Sequence, residues 1–394
     1  GTERLFTLTE KERIQSICND MGDNALRVLA LAYKKVPNGQ DDLETNYVFL
    51  GLVGMEDPAR DGVKESVQKC HRAGIKVVMI TGDNKNTAAA IGRQLGLLTD
   101  GMIVAGAELD NMTNAELHSK IDKIQIFART TPEHKHRIVK ALKDAGHIVA
   151  MIGDGVNDTP AMKEADIGVA MGRNGSDVAK DVAGITLVDD DFSTIVAAIQ
   201  EGRSVTNNIK NSVKYLLAGA LGEIAAVILA VVTFGISPLL SIQMLWVNVI
   251  SETIMGSSLA IEPACSDVMN RPPYAKGAPL LDRPLIHQIL RRGALIGLST
   301  FGIFYGAMIL GFGLAKAQTL AFISLIFSQL ANVYHCRSNK NKRPNMYMNV
   351  AAFTSSVLLF GIVYFPPLSS FFSTVPLNLI DAAAVCASAG ISSI

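Results

Sequence analysis

Hydrophobic positions along the chain follow two regimes. Up to roughly Lys214 charged residues recur every few positions, and beyond it long apolar stretches alternate with short charged loops. In the first regime, between about Tyr47 and Asp190, short Val/Ile-rich runs at 48–53, 76–80, 123–127, 147–152, 167–170 and 185–188 read as buried strands. Helical patterns such as 88–95 and 133–142 separate them. That alternation predicts an α/β, Rossmann-like fold with a parallel sheet covered on both faces. The second regime holds six stretches of the length that spans a bilayer as a helix, about 17 to 25 residues. They are 213–235, 238–261, 293–315, 317–336, 347–366 and 375–394, the last interrupted by Pro376 and Asp381. The pattern predicts a soluble α/β part followed by an α-helical transmembrane bundle.

Composition sharpens this reading. A hydrophobic fraction of 49% over 394 residues, with mean hydropathy +0.28, is too apolar for an ordinary soluble enzyme. Lys+Arg and Asp+Glu balance at 36 each, so no positive field favours nucleic acid as a partner. Five widely spaced cysteines without a CxxC argue against a disulfide framework or a zinc site. The opening Gly1-Thr2-Glu3-Arg4 has neither an initiator Met nor a signal-peptide pattern, and the start reads as cut. Lys210 and Lys214 precede the first span. Arg271, Lys276, Arg283, Arg291 and Arg292 fill the second-to-third connection, and Arg337, Lys340, Lys342 and Arg343 the fourth-to-fifth. By the positive-inside bias these loops and the soluble part face the cytoplasm, while the uncharged 234–237 turn and the segment at Lys316 face outward.

Two groups of residues carry candidate chemistry. Within the spans, Glu223 and Glu252 are ionisable side chains at bilayer depth, each costing about 2.5–3.5 kcal/mol to insert without a partner. Asn248, Ser251 and Glu252 stand at i, i+3 and i+4, so a regular helix puts them on one face. Their oxygens suit a hard cation, and they equally suit an interhelical hydrogen-bond network. Gln329 reads as packing or as a ligand. In the soluble part, polar clusters follow three strand runs: Thr81-Gly82-Asp83-Asn84, Arg129-Thr130-Thr131-Pro132 and Gly153-Asp154-Gly155-Val156-Asn157-Asp158. In parallel sheets ligands bind at the carboxyl ends of strands. Asp154 and Asp158 offer carboxylates for Mg²⁺ and phosphate, Thr81 and Gly82 offer a hydroxyl and an amide to phosphoryl oxygens, and Lys135 offers a compensating charge. Taken singly, each cluster also reads as an ordinary turn and Lys135 as a solvated lysine.

The runs at 76–84 and 153–163, with Asp57-Pro58, 191–195, Trp246-Val247-Asn248 and Arg271-Pro272-Pro273, resemble the signature segments of P-type cation-transporting ATPases. The similarity covers nearly the whole chain and lies nearest the calcium pumps of the type II branch. It implies the end of a nucleotide-binding domain at 1–45, a haloacid-dehalogenase-like phosphorylation domain at 46–210 and a transmembrane domain at 211–394. It also implies roles. Thr81, Gly82 and Asp83 contact the phosphoryl group and Lys135 pairs with it. Asp154 ligates Mg²⁺, supported by Asn157 and Asp158. Arg27 reaches the ATP phosphates and Arg129 lies near the domain hinge. Glu223, Asn248, Ser251 and Glu252 fall where calcium pumps carry ion ligands.

Several positions depart from the family pattern. Ile152 replaces a Thr, which removes a hydroxyl from the phosphorylation site; Ala220 replaces an Asn ligand, Ser251 a Thr, Glu252 an Asp and Gln329 a Glu, and the fewer oxygens point to one ion site rather than two. The Asp-Lys-Thr-Gly-Thr motif with the phosphorylated aspartate is absent from the sequence, as are a Thr-Gly-Glu loop and four further spans. The resemblance therefore implies the carboxyl-terminal part of a multi-pass pump that uses ATP and Mg²⁺ and moves a cation, with Ca²⁺ favoured, across the plasma membrane rather than an internal one. Lipid and the amino-terminal part of the same pump are the expected partners, and alone the chain is expected to be inactive. A membrane-anchored haloacid-dehalogenase-type phosphohydrolase and a catalytically silent truncated module are the alternatives.

Overall fold

A computed structural model describes residues 4–24, 26–35, 47–55, 59–265, 267–337 and 344–392. Asp57, Pro58, Lys340, Lys342 and Arg343 lie outside the described residues. The chain divides into two compact units, Gly1–Ala198 with Met269–Lys276, and Ile199–Val268 with Gly277–Ile394.

The first unit opens with helix α1 (Leu8–Asp23), started by a capping box in which Thr7 accepts from the Glu10 N–H and Glu10 accepts from the Thr7 N–H. Strands β1 (Arg27–Tyr33) and β2 (Val48–Met55) pair antiparallel, with a register shift at Leu31/Ala32. The expected run at 48–53 is therefore a strand, but it belongs to a hairpin-type pair and not to the parallel sheet, and Leu50 and Val53 are exposed. There follow α2 (Val63–Arg72), β3 (Met79–Ile80), α3 (Lys85–Leu95), β4 (Met102–Ala105), α4 (Gly106–Asp110), α5 (Asn114–Lys120), β5 (Ile124–Ala128) and α6 (Pro132–Asp144). Next come β6 (Ala150–Gly153), α7 (Thr159–Glu164), β7 (Ile167–Met171), α8 (Asp177–Val182) and β8 (Ile185–Leu187).

These strands form two three-stranded parallel sheets, ordered β3-β5-β4 and β6-β7-β8. The helices between parallel strands follow from the crossover such pairing requires. A register shift in the β4/β5 pair opposite Gln125 explains why Ile124 and Phe127 share one core cluster while Ile126 and Ala128 join another. Gln125 Oε1 in turn accepts from the Thr99 and Gly101 N–H groups at 3.1 and 3.2 Å, fixing the entry to β4. Helix α6 serves both sheets. Its Ile138 packs with Val104, Ile124 and Phe127, and its Val139 with Met151, Met162 and Ala170. The segment Met269–Lys276 clusters with this unit. Gly74 abuts Pro272 there, so closely that a Cβ would stand 2.9 Å from its Cα.

The second unit is helical. Helix α9 runs unbroken over Phe192–Phe234, so the division between units falls inside it. It is followed by α10 (Ser241–Trp246), a π-helical stretch at Val247–Ser251 and α11 (Glu252–Ala260). The rest comprises α12 (Arg283–Ile309), α13 (Leu314–Cys336), α14 (Met346–Tyr364), α15 (Pro366–Phe372) and α16 (Leu379–Ser392). Among the described residues four helices, α9, α12, α13 and α14, are long and apolar enough to cross a membrane. The stretch expected at 238–261 is the composite of α10, the π stretch and α11, and the one expected at 375–394 holds the shorter α16.

Small residues let these helices approach, as interfaces in lipid require where no hydrophobic force drives association. Gly293 and Gly297 of α12 form a GxxxG pair against Ala218, Gly222 and Ala226 of α9: a Cβ on Gly293 would meet the Ala218 carbonyl oxygen at 3.2 Å, and one on Gly297 would meet that of Gly222 at 2.9 Å. Serine hydroxyls join α12, α13 and α16, with Ser324 and Ser388 at 2.6 Å, Ser299 and Ser328 at 3.4 Å, and Ser388 donating to the Ser299 carbonyl at 3.3 Å.

Candidate functional site

Two candidate sites emerge, one in each unit. In the first, the three polar clusters are stitched together by hydrogen bonds. The Thr81 N–H donates to Phe127 O at 2.9 Å, continuing the β3/β5 ladder into the loop. Thr81 Oγ1 donates to Asp83 Oδ2 and accepts from the Asp83 N–H, both at 3.1 Å. The Arg129 N–H then donates to Asp83 O at 2.9 Å and the Thr130 N–H to Thr81 O at 3.1 Å, which locks the first cluster to the second. Arg129 has φ 51°, a left-handed conformation that is uncommon for a residue with a side chain. Thr131 caps α6 by accepting from the His134 N–H, with Pro132 at the first helical position.

That cap places Lys135 in the first turn of α6, where its Nζ pairs with Asp158 Oδ1 at 2.5 Å. Asp158 is buried, and its Oδ2 accepts from the Asp154 and Gly155 N–H groups at 3.3 and 3.4 Å. Hence Asp158 anchors Lys135 and the 153–158 turn, while Asp154 and Asn157 are exposed. A cleft of about 410 Å³, lined by Asn84, Lys85 and Arg129 together with residues of α1, opens beside the first two clusters. Arg27 opens β1, and its side chain lies outside the described residues.

No group of three or more His, Cys, Asp or Glu converges as a metal cage among the described residues. The donor set fits Mg²⁺ all the same. That ion is held by one or two carboxylates plus substrate oxygens and water rather than by an all-protein cage, and Asp154 supplies an accessible carboxylate of that kind.

In the second unit Glu223 and Glu252 are 6% and 7% exposed, and they lie close enough to act on each other electrostatically. Gln329 is fully buried, and its Nε2 donates to Glu252 Oε1 at 2.7 Å. Asn248 lies beside the Glu223 carboxylate. Around these groups, the buried Ser251 Oγ, Gln329 Oε1 and Tyr215 OH have no hydrogen-bond partner, and Tyr215 is within electrostatic reach of Glu252. Gly219 of α9 faces the Glu252 carboxylate with no room for a Cβ. Unpaired buried oxygens beside two carboxylates are an oxygen-only donor set, suited to a hard cation.

Val247–Ser251 is π-helical, and within and after it Asn248 is exposed at the Glu223 side while Ser251 and Glu252 are buried. π-Bulges occur frequently at functional sites. Tyr215 and Gly219 were not singled out from the sequence. The available signal was that both stand on the Glu223 face of α9, eight and four residues before it, respectively.

The α/β unit, with its polar loops gathered at strand ends, and the helical unit, with its buried carboxylates, together define a haloacid-dehalogenase-like domain joined to a membrane bundle. Comparison with known proteins agrees. Residues 236–394 match the family model described as "Cation transporting ATPase, C-terminus", and residues 19–166 match that of the haloacid dehalogenase-like hydrolases. Over 391 residues the chain is 40% identical to a "Calcium-transporting ATPase" of Bacillus subtilis (strain 168), covering 96% of this chain and 44% of that protein. It is 41% identical to "Calcium-transporting ATPase 1" of Bacillus cereus, covering 97% and 46%, respectively. With the human "Calcium-transporting ATPase type 2C member 2" it shares 39% identity over 96% of this chain and 39% of that protein. The chain belongs to the type II P-type cation-transporting ATPases. It is an integral membrane protein and spans less than half the length of these curated relatives.

Proposed function

We propose that the chain is part of an ATP-driven pump that moves Ca²⁺ across a membrane through an aspartyl-phosphate intermediate. The observation that carries this reading is the pair of buried carboxylates, Glu223 and Glu252, set among unpartnered buried oxygens on membrane helices. A membrane-anchored phosphohydrolase would have no use for them. The relatives' names as calcium-transporting ATPases support the same ion.

In this reading Thr81 and Gly82 hold phosphoryl oxygens, Asp83 orients Thr81 through the paired hydrogen bonds, and Lys135 neutralises charge developing in transfer. Asp158 holds the Lys135 ammonium in place, and Asn157 supports the same turn. Asp154 would hold Mg²⁺, whose chemistry is to neutralise phosphoryl charge. Arg27 reaches the ATP phosphates, and Arg129, at the cleft beside this loop, serves the nucleotide from near the domain hinge. The phosphorylated aspartate comes from the remainder of the pump. Strands β3 and β6 each keep one unpaired edge among the described residues, and both end in site motifs, which suits an added strand there.

Helix α9, continuous from Phe192 to beyond Glu223, conveys domain movement to the cation ligands. The Lys/Arg-rich loops support a cytoplasmic soluble unit by the positive-inside bias, and the plasma membrane is the favoured location. The test is cation-stimulated ATP hydrolysis by the complete pump carrying Glu223→Ala or Glu252→Ala. Each substitution is expected to abolish or shift the Ca²⁺ dependence, and unchanged dependence in both refutes the site.

A further inference from the structure

We infer that Glu262 is a positioning residue whose carboxylate fixes α11, and with it Glu252, against α13 and α14, while its backbone carbonyl takes a bond from α9. The inference rests on the cation-pump reading. Glu262 lies just beyond the end of α11, about ten residues or roughly 15 Å along the chain from Glu252. Its side chain is 2% exposed. Oε1 accepts from Arg337 Nε at 2.8 Å and pairs with Nη2 at 2.7 Å, a forked contact from the residue that follows α13. Oε2 accepts from Asn345 Nδ2 at 2.6 Å, and the same amide donates to Ser258 O of α11 at 2.9 Å. Asn345 Oδ1 in turn accepts from the Met348 N–H at 3.0 Å and starts α14. From α9, Asn208 Nδ2 donates to Glu262 O at 2.8 Å and to Ala260 O at 3.2 Å, and Ser212 Oγ donates to Gly256 O at 3.2 Å. Four helices therefore converge on one carboxylate and the backbone around it.

Two features make this junction bear on the cation ligands. First, α11 and α13 are cross-linked twice, by Gln329 to Glu252 and by Arg337 to Glu262. Two fastenings on the same pair of helices fix both register and rotation, whereas one leaves a pivot. Second, the π-helical stretch directly before Glu252 interrupts the regular ladder from α10. The placement of α11 then depends more heavily on its far end.

The test uses the complete pump in vesicles, reading the Ca²⁺ concentration for half-maximal ATP hydrolysis apart from the maximal rate. Glu262→Gln removes the charge and turns an amide toward a donor, so half-maximal activation is expected to need about five- to tenfold more Ca²⁺, with a maximal rate within about twofold. Arg337→Lys keeps the charge, loses the fork, and is expected to shift the same quantity less; it serves if Glu262→Gln does not accumulate. Lys316→Gln breaks another buried pair of this unit, Lys316–Asp381 at 2.9 Å, and is expected to lower thermal stability without moving the Ca²⁺ dependence. An unmoved half-maximum in Glu262→Gln or Arg337→Lys overturns the inference, as does an equal shift in Lys316→Gln, which would mean general loosening. Glu252→Gln separates the two claims: normal Ca²⁺ dependence in that variant defeats the pump reading itself, whatever Glu262 does.

Discussion

Replacing Gly219 by alanine tests the cation site without touching a ligand. A Cβ at Gly219 would fall on Glu252 Oε1 and lie 3.3 Å from Gln329 Nε2 and 3.4 Å from Glu252 Cδ. The clash itself is with the end of a side chain, which can swing away. What the swing loses is the 2.7 Å bond to Gln329 in a site with no water-facing alternative. A buried amide donor left unpaired costs roughly 1–3 kcal/mol, and crowding a packed core adds about 1–3 kcal/mol. Against this, alanine in a helix interior gains about 1 kcal/mol over glycine. The net loss falls on the arrangement of Glu252 and is about 1–5 kcal/mol, or roughly fivefold and upward in cation affinity at 1.4 kcal/mol per decade. Gly302→Ala on α12, with nothing within 4 Å of the added methyl, serves as the control and is expected to be neutral or mildly stabilising. Equilibrium binding of radioactive Ca²⁺ to the two purified variants gives the answer. Equal affinity in both would show that the Glu252–Gln329 pair has no part in holding the ion.

Further expectations concern stability and pH. Lys135→Ala leaves the buried Asp158 without the ammonium 2.5 Å away, and is expected to lower stability by roughly 3 kcal/mol and to stop ATP hydrolysis; an unchanged urea midpoint would contradict the pairing. Gly293→Leu drives a side chain into the Ala218 carbonyl and Leu221 of α9, so its melting temperature in detergent is expected to fall by several degrees, whereas Gly306→Ala, with an open surround, is not. The hydrogen bond from Lys85, then that from the Ala105 N–H, hold the Glu108 carboxyl below its ordinary value. Its contribution is thus present above the unfolded value and lost as pH falls through the folded one, and Glu108→Gln is expected to flatten the acid limb of a urea-midpoint profile. Burial pulls Lys76 below its usual range, partly offset by Asp122. Between the lowered and ordinary values the unfolded chain binds more protons, so stability rises with pH in that alkaline window, and Lys76→Met is expected to abolish the rise.

Much of this architecture was legible because it rests on length and periodicity. The long apolar helices α9, α13 and α14 follow from runs that no soluble fold accommodates, and β5, β7 and β8 from Val/Ile content between turn residues. The gathering of the three polar clusters was legible for a related reason: each follows a strand, and parallel strands bring their carboxyl ends together. What escaped depends on tertiary register. Strand β4 (Met102–Ala105) runs directly into α4 at Gly106, with no polar turn to set it apart. The π-helical stretch at Val247–Ser251 leaves no mark on the local apolar pattern, so the sequence reads as one ordinary helix there. The Gln329–Glu252 bond joins positions 77 residues apart and is set by how α11 meets α13, which no local window contains. The partners of Glu262, Arg337 and Asn345, stand 75 and 83 residues away, equally outside any local window.

The most direct measurement of the central claim is ATP-driven Ca²⁺ uptake into vesicles holding the complete pump, with Glu223→Gln/Glu252→Gln compared with Asp154→Asn and the unaltered protein. Uptake lost in both variants, with Ca²⁺ binding lost only when the two membrane carboxylates are replaced, is the predicted result. Full uptake without those carboxylates would contradict it.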